Sequence, residues 1–283
     1  MHVARHGDGV RGAAAALASQ VHPVFMLPPL AASAFGAVLA GEFSLLVAAV
    51  HVAAMFAAVY TAHVKDGYVD FHVRGEDDDH PLTPAGCRLA IRAATAAFLA
   101  SAAALWWLVG PWAAALAAPA WLIAYHHAPQ LDTNPVTTTT GYPTGIAVSL
   151  VGGYYAQTQS LAVRPVAFAG VLLVLLSGVK VVDDAQDYDY DRSIDKRSVA
   201  VVLGKPGARR LAFGLMAAAM AAVVALAALA VFPPTSVAAV AAFGVVAAFA
   251  ARSDPTIATM LLVRGCYVFL AALVAAVWFR PLA

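Results

Sequence analysis

The sequence predicts an all-α integral membrane protein, a bundle of about nine transmembrane helices with two aspartate-rich cytoplasmic loops. Three observations carry that expectation. Of 283 residues, 62% are hydrophobic and only 12% are charged, about half the charged share of an ordinary soluble domain. Apolar runs of about twenty residues recur along the whole chain, the length that crosses a hydrocarbon core as a helix. Twelve of the sixteen acidic residues fall in two places, six in each.

The apolar runs place spans at residues 21–40, 43–64, 88–109, 111–127, 140–158, 163–182, 209–231, 235–251 and 257–279. Residues 1–20 are expected as a cytoplasmic N-terminal segment and 21–283 as a single nine-helix domain. The first run resembles a signal peptide, with the small residues Ala31-Ala32-Ser33-Ala34, but it continues to Ala40 and is long enough to span. Cys87 and Cys266 both adjoin apolar segments and read as free thiols rather than a disulfide. A formal net charge of +1, with no basic module, gives no reason to expect nucleic acid as a partner. The expected partner surface is the lipid bilayer.

Lysine and arginine set the orientation. With the N-terminus inside, the even-numbered connections and adjoining helix ends collect Arg5, Arg11, Lys65, Arg74, Arg88, Arg92, Lys180, Arg192, Lys196, Arg197, Lys205, Arg209, Arg210 and Arg252. The opposite side receives Arg164 and Arg280. The positive-inside rule then puts the N-terminus in the cytoplasm and the C-terminus outside a multi-pass chain in the cell membrane. Four expected helices separate the two acidic clusters, so both emerge on the cytoplasmic face.

The second cluster, VVDDAQDYDYDRSIDKRS from Val181, repeats Asp183, Asp187 and Asp191 every four residues and also holds Asp184, Asp189 and Asp195. On a helix that spacing stacks carboxylates on one face, about 6 Å apart along the axis. Asp66 and Asp70 in KDGYVD offer the same pair at the end of the second span. Mg²⁺ is commonly held by one or two carboxylates together with substrate phosphates. Two such sets would grip a diphosphate, with Lys65, Arg74, Lys196 and Arg197 on its remaining oxygens. Departure of a diphosphate from an allylic chain would leave a delocalised cation in the apolar bundle. The candidate catalytic residues are therefore Asp66, Asp70, Asp183 and Asp187, and the candidate metal ligands are these four with Asp191. Glu76 and Asp77–Asp79 are expected as solvated loop charges. The positive-inside rule alone would also account for Lys196 and Arg197.

At these residues the chain resembles the UbiA superfamily of intramembrane aromatic prenyltransferases. That resemblance implies nine transmembrane helices and two aspartate-rich motifs after helices two and six. It also implies transfer of a polyprenyl chain from its diphosphate to a small aromatic or lipid acceptor with Mg²⁺. The first motif usually begins Asn-Asp and closes like Arg-Pro-Leu-Pro-Ser-Gly; here Lys65-Asp66 opens it and Pro81-Leu82-Thr83-Pro84-Ala85-Gly86 resembles the close. Asp183, Asp187 and Asp191 take the family's metal-binding positions, and Lys196-Arg197-Ser198-Val199-Ala200-Val201 with Gly204 is similar to its Gly-Lys-Arg-Thr-Leu-Ala-Val run. Many members carry Tyr-x-x-x-Lys near helix four; this chain has Tyr125 but Pro129 at the lysine position. The contact is then missing or supplied elsewhere. Gly141-Tyr142-Pro143 through Gly152-Gly153-Tyr154-Tyr155-Ala156-Gln157 is similar to the menaquinone-type branch, which prenylates dihydroxynaphthoate.

Tyr125, Tyr142 and Tyr154 are candidate substrate-binding residues, through their ring faces or by orienting an acceptor; the alternative is an interfacial belt. His126 and His127 read as a polar cap, and His51 as a hydrogen-bond partner for a neighbouring helix. Arg264, inside the ninth span, is a functional candidate because an intramembrane charge is costly. Two other classes compete with prenyl transfer. A CDP-alcohol phosphotransferase would share Asp66-Gly67 but lacks the Ala-Arg that should follow. An ion-coupled transporter would carry its acids near the midplane rather than at helix ends.

Overall fold

The computed structural model describes residues 2–41, 44–194 and 196–279; Asp195 and Arg280 lie outside them. Among the described residues, eleven α-helices run in the order α1 Gly9–Ala18, α2 Pro23–Leu39, α3 Leu45–Gly67, α4 Pro84–Leu108, α5 Pro111–His126, α6 Pro135–Thr158, α7 Val163–Asp184, α8 Tyr188–Ser193, α9 Val199–Ala228, α10 Val237–Ala250 and α11 Pro255–Phe279. Among the described residues there is no strand, only an isolated bridge between Ala4 and Leu82. Local chemistry marks the helix starts. Proline opens α2, α4, α5, α6 and α11, where its missing N–H costs nothing. Side chains cap α4 and α3: Thr83 Oγ1 accepts from Gly86 N at 2.9 Å, and Ser44 Oγ from Val47 N at 3.4 Å.

Each expected span overlaps a helix, but the helices are unequal. Five are long and apolar enough to cross a bilayer: Leu45–Arg74, Pro84–Leu108, Val163–Asp184, Val199–Ala228 and Pro255–Phe279. Helices α1 and α2, bent by 64°, qualify together as a sixth. At sixteen and fourteen residues, α5 and α10 are shorter, and α6 opens on the run Thr137–Thr140. The chain is a multi-pass membrane protein. Trp106, Trp107 and Trp112 stand exposed around the α4–α5 turn, where indole rings suit a headgroup layer.

The chain divides into two compact units, residues 1–131 with 148–160, and 132–147 with 161–283. In the first, alanines of α3 and α5 pack with Met55, Phe98 and Leu105. Small residues let backbones approach closely where lipid supplies no hydrophobic drive. Gly36 faces the Leu150 carbonyl and Gly153 faces that of Ser33, each too close for a β-carbon. His51 bonds Ser33 across α2 and α3 at 2.7 Å, as expected of it. In the second unit Phe168 stacks on Phe232 at 3.7 Å, and Gly178 sits against the Ala212 carbonyl. Helix α9 bends where Gly204 takes a φ of 72°, a value most side chains disfavour.

The N-terminal segment is more structured than a free tail. Arg5 N bonds Pro81 O at 2.8 Å, Thr83 N bonds Val3 O at 3.0 Å, and Tyr60 donates to Leu17 O at 2.8 Å. Gly86 in α4 lies against the Val3 backbone, where a β-carbon would collide.

Candidate active site

In the first unit α3 does not stop at Gly67; it widens into a π-helical turn over Tyr68–Arg74, closed by Gly75 at φ 68°. Such turns are rare and recur at functional sites. Because a π turn holds more residues than an α turn, Asp66 and Asp70 stay on neighbouring positions of one face. Arg74 Nη1 lies 3.4 Å from Asp70 Oδ1, and Arg74 Nε lies 3.7 Å from Glu76 Oε1. Glu76 also donates its backbone N–H to Asp70 O at 2.8 Å. The expectation that Glu76 is a solvated loop charge is therefore corrected: its side chain is 14% exposed and is drawn in by Arg74. Asp77–Asp79 are exposed, as expected. They differ in their neighbours. Asp79 is taken by Arg5 at 2.7 Å and His6 at 3.0 Å, whereas the charge of Asp77 is felt at Asp70. The His6 hydrogen bond, more than the Arg5 charge, holds the Asp79 carboxyl below the usual carboxylate range.

Lys65 turns toward α5. Its Nζ donates to the Tyr125 carbonyl and to Gln130 Oε1 at 3.4 Å, and stands 4.2 Å above the Tyr125 ring centroid. Trp121 stacks on Tyr125 at 5.1 Å, and Phe98 on Trp121 at 6.1 Å, so an aromatic row leads from this ammonium into the core. The two expected substrate contacts Lys65 and Tyr125 are thus one assembly. Tyr154 is elsewhere. It lies one helical turn before Gln157, whose Oε1 accepts from Ser44 N at 2.7 Å, so it belongs to the end of α3 opposite Asp66. Gly152 packs on the His51 ring and Gly153 on Ser33. In this segment the Gly-Gly pair serves helix packing.

In the second unit the carboxylates are not on one helical face. Helix α7 ends at Asp184, a turn follows with Gln186 N on Asp183 O at 3.0 Å, and Asp187 precedes α8. This corrects the expectation of an unbroken i, i+4 stack. Six aspartates in thirteen residues combine poor helix propensity with mutual repulsion. The turn still gathers them. Lys180 Nζ reaches Asp183 Oδ2 at 3.1 Å and Asp184 Oδ1 at 2.6 Å, and Lys196 Nζ reaches Asp191 Oδ1 at 3.5 Å. Asp191 is buried, and its N–H bonds Asp187 O at 2.7 Å. Burial, and then the charges of Asp183 and Asp191, push the Asp187 carboxyl above the usual carboxylate range. Lys205 engages the outlying Asp189 at 3.0 Å. Gln186 Nε2 anchors the turn to Thr259 of α11 at 2.8 Å.

Of the remaining expected residues, Arg197 is exposed, Tyr142 lies beside Tyr267 and Cys266 of α11, and Arg264 is exposed on that helix, C-terminal to Thr259. Lys180 and Asp184 were not expected to take part. Their i, i+3 and i, i+4 spacing was the signal for it.

These donors suit a hard divalent cation. They are carboxylate oxygens, the ligands Mg²⁺ prefers. Asp184 Oδ2 is buried without a hydrogen-bond partner among the described residues, and Asp191 Oδ1 is met only by Lys196 at 3.5 Å; an unmet buried oxygen costs free energy unless a cation or water satisfies it.

Comparisons with known proteins agree with this fold. No curated protein sequence matches the chain. Solved structures share its fold: a UbiA homolog from Aeropyrum pernix K1 at TM-score 0.69 and 17% identity, covering 93% of this chain and 100% of that one. A digeranylgeranylglyceryl phosphate synthase gives 0.73 and 13%, covering 95% and 99%. A UbiA homolog from Archaeoglobus fulgidus bound to DMAPP and Mg²⁺ gives 0.68 and 16%, covering 93% and 97%. The sequence profile of the UbiA prenyltransferase family matches residues 26–255, most of the length over which the helices and both acidic clusters lie, and the chain belongs to that family.

Proposed function

We propose that the protein moves a polyprenyl chain from an allylic diphosphate to a small acceptor and releases diphosphate. Asp66, Asp70, Asp183, Asp187 and Asp191 hold Mg²⁺ in this reading. The observation that carries it is an imbalance of charge. Of these five aspartates, Asp70, Asp183 and Asp191 are neutralised by Arg74, Lys180 and Lys196, while Asp66 and Asp187 make no ion pair among the described residues. Family membership leaves the phosphotransferase and transporter readings without support. The Archaeoglobus homolog bound to DMAPP and Mg²⁺ supports the donor class and the metal.

Bound Mg²⁺ supplies Lewis-acid neutralisation of charge on a departing diphosphate. The chain's own residues do the rest. Lys65, Arg74, Lys196 and Arg197 contact phosphate oxygens. Lys65 also takes the place of the lysine missing at Pro129, since its ammonium already rests on Tyr125. Asp77 is the acid this reading adds to the first motif, since it follows Glu76 directly and Asp79 is already taken by Arg5 and His6. Tyr125 and Tyr142 face the prenyl cation or acceptor, and Tyr154 contacts the chain far from the diphosphate. The lysine and arginine distribution assigns the N-terminus to the cytoplasm and the C-terminus to the outside.

The acceptor is an aromatic quinone precursor of the dihydroxynaphthoate kind, as the resemblance of residues 141–157 to the menaquinone-type branch supports. A glycerol-phosphate lipid is the second reading, favoured by the fold shared with a digeranylgeranylglyceryl phosphate synthase. Purified protein with radiolabelled geranylgeranyl diphosphate, Mg²⁺ and each acceptor in turn decides between them, with an EDTA control. Label entering the aromatic acceptor only with metal is the expected result. Label entering glycerol phosphate selects the second reading. No transfer and no cleavage with any acceptor overturns both.

A further inference from the structure

Beside the first acidic cluster, but separate from its carboxylates, three softer ligands converge from three segments. His72 lies on the π-helical turn, His80 on the loop after it, and Cys87 on the first turn of α4. Their ligand atoms lie within 4.8 Å of one another. Cys87 Sγ is 4.0 Å from His80 Nδ1. A fourth donor occupies the same space: Leu82 O is 3.0 Å from His72 Nε2 and 3.2 Å from His80 Nδ1. The distances between neighbouring ligands in a tetrahedral zinc site are about 3.3–3.7 Å, given bonds of 2.0–2.3 Å. The set is therefore within about an ångström of closure. His80 and Cys87 are buried.

Hydrogen bonding alone does not settle this cluster. His80 Nδ1 lies 3.2 Å from both the backbone nitrogen and the carbonyl oxygen of Leu82, and the Cys87 sulfur stands 4.0 Å from the same Nδ1, at the limit of a weak S–H bond. His80 Nε2 is buried and has no hydrogen-bond partner among the described residues. Two imidazoles, a thiol and a carbonyl directed at one another suit a borderline-soft cation, whereas the Mg²⁺ proposed for the aspartates prefers oxygen alone.

We propose that His72, His80 and Cys87, with the Leu82 carbonyl, form a structural site for zinc or a similar thiophilic divalent metal. On binding, Cys87 gives up its thiol proton to solvent and both imidazoles coordinate as neutral rings. The bond set cross-links the end of α3, the acidic loop and the start of α4. It thereby fixes the loop that carries Glu76 and Asp77.

Full-length protein in detergent, metal-stripped and exchanged into buffer containing Mg²⁺, is titrated with Co²⁺ and assayed for zinc by mass spectrometry after reconstitution. The expected result is about one zinc per chain and a sulfur-to-cobalt charge-transfer band, since both ions favour a tetrahedral thiolate site. Cys87→Ser abolishes the band. Cys266→Ser and Asp187→Asn retain it, which separates this site from the other thiol and from the aspartates. His72→Gln, at a less buried position, keeps the thiolate and weakens binding by roughly 10-fold or more, so the site stays testable if Cys87→Ser does not fold. Absence of the band in wild type, or its persistence in Cys87→Ser, overturns the proposal. Neither result bears on prenyl transfer, which the acceptor assay measures.

Discussion

The two acidic clusters reach a similar charge pattern by different local means. The first is built on continuous helix: α3 widens instead of ending, and Asp70, Arg74 and Glu76 are tied within one turn. The second is built on a broken helix, where α7 stops and a short turn gathers Asp183, Asp187 and Asp191. Of the five proposed metal ligands, each cluster leaves one, Asp66 or Asp187, without an ion pair among the described residues, while Arg74, Lys180 and Lys196 neutralise Asp70, Asp183 and Asp191. A diphosphate–metal complex needs such a mixture. Uncompensated carboxylates hold the cation, and the paired lysines and arginines remain near enough to meet phosphate.

The largest effect should come from the two unpaired acids. Asp66→Asn and Asp187→Asn are each expected to lower prenyl transfer by at least about 100-fold, since even an outer-shell partner of a metal ligand can cost that much. Asp187 adds a sign test. Its folded carboxyl titrates above the usual range because of burial and of Asp183 and Asp191. The metal-free protein therefore has a stability contribution that is present below the ordinary carboxylate range and is lost as pH rises through the raised value. Thermal melting in EDTA across pH should show this slope in wild type and not in Asp187→Asn, which melts no lower than wild type at neutral pH. A variant with full activity removes Asp187 from the metal site. A variant that melts earlier contradicts the repulsion argument.

Lys180 distinguishes the clusters next. It is held by Asp183 and the buried Asp184, so Lys180→Met strands a buried carboxylate. Breaking such a pair by removing one partner typically costs about 3–5 kcal/mol. The expected outcome is a marked fall in melting temperature, recovered in Lys180→Met with Asp184→Leu. In the first cluster Arg74→Met should destabilise less, because Asp70 and Glu76 both retain some exposure. Equal losses would mean that the two clusters are not built differently.

Much of this was readable beforehand, and the failures have physical causes. Composition and apolar period located the helices, because lipid requires backbone hydrogen bonds to close within the segment. The D-x-x-x-D spacings located both clusters. What spacing could not show was backbone geometry: a π turn after Gly67 and a break after Asp184 depend on packing against α4, α9 and α11. Nor could it show that Lys65 crosses to Tyr125, sixty residues away in sequence. The Lys180–Asp184 pair is legible by helical spacing, although lysine there also fits the positive-inside rule. The His72, His80 and Cys87 group shows no short metal-binding spacing and becomes visible only once the loop is folded.

Lys65 gives a middle-sized prediction. Lys65→Asn keeps a polar side chain but removes the ammonium from Tyr125. The same ammonium is the one proposed to meet a phosphate oxygen, and a partly exposed ion pair is worth about 0.2–1 kcal/mol, so KM for the diphosphate should rise by about 1.5–5-fold with kcat little changed. Lys65→Arg should restore most of the affinity. A fall in kcat with KM unchanged would place Lys65 in the chemical step instead.

The smallest effects should separate the loop acids. Asp77 lies within electrostatic reach of Asp70, whereas Asp79 is turned toward Arg5 and His6 of the N-terminal segment. Exposed ion pairs contribute little, so Asp79→Asn should leave transfer within about twofold of wild type while loosening the N-terminal segment. Limited proteolysis near residues 5–12 would report that loosening. Asp77→Asn should raise the Mg²⁺ concentration needed for half-maximal activity by a few-fold, because one charge fewer then faces the first cluster. If Asp79→Asn instead shows the metal effect and Asp77→Asn shows none, the third acid of the first motif is Asp79, and the Arg5 contact is a gate on the site rather than an anchor for the tail.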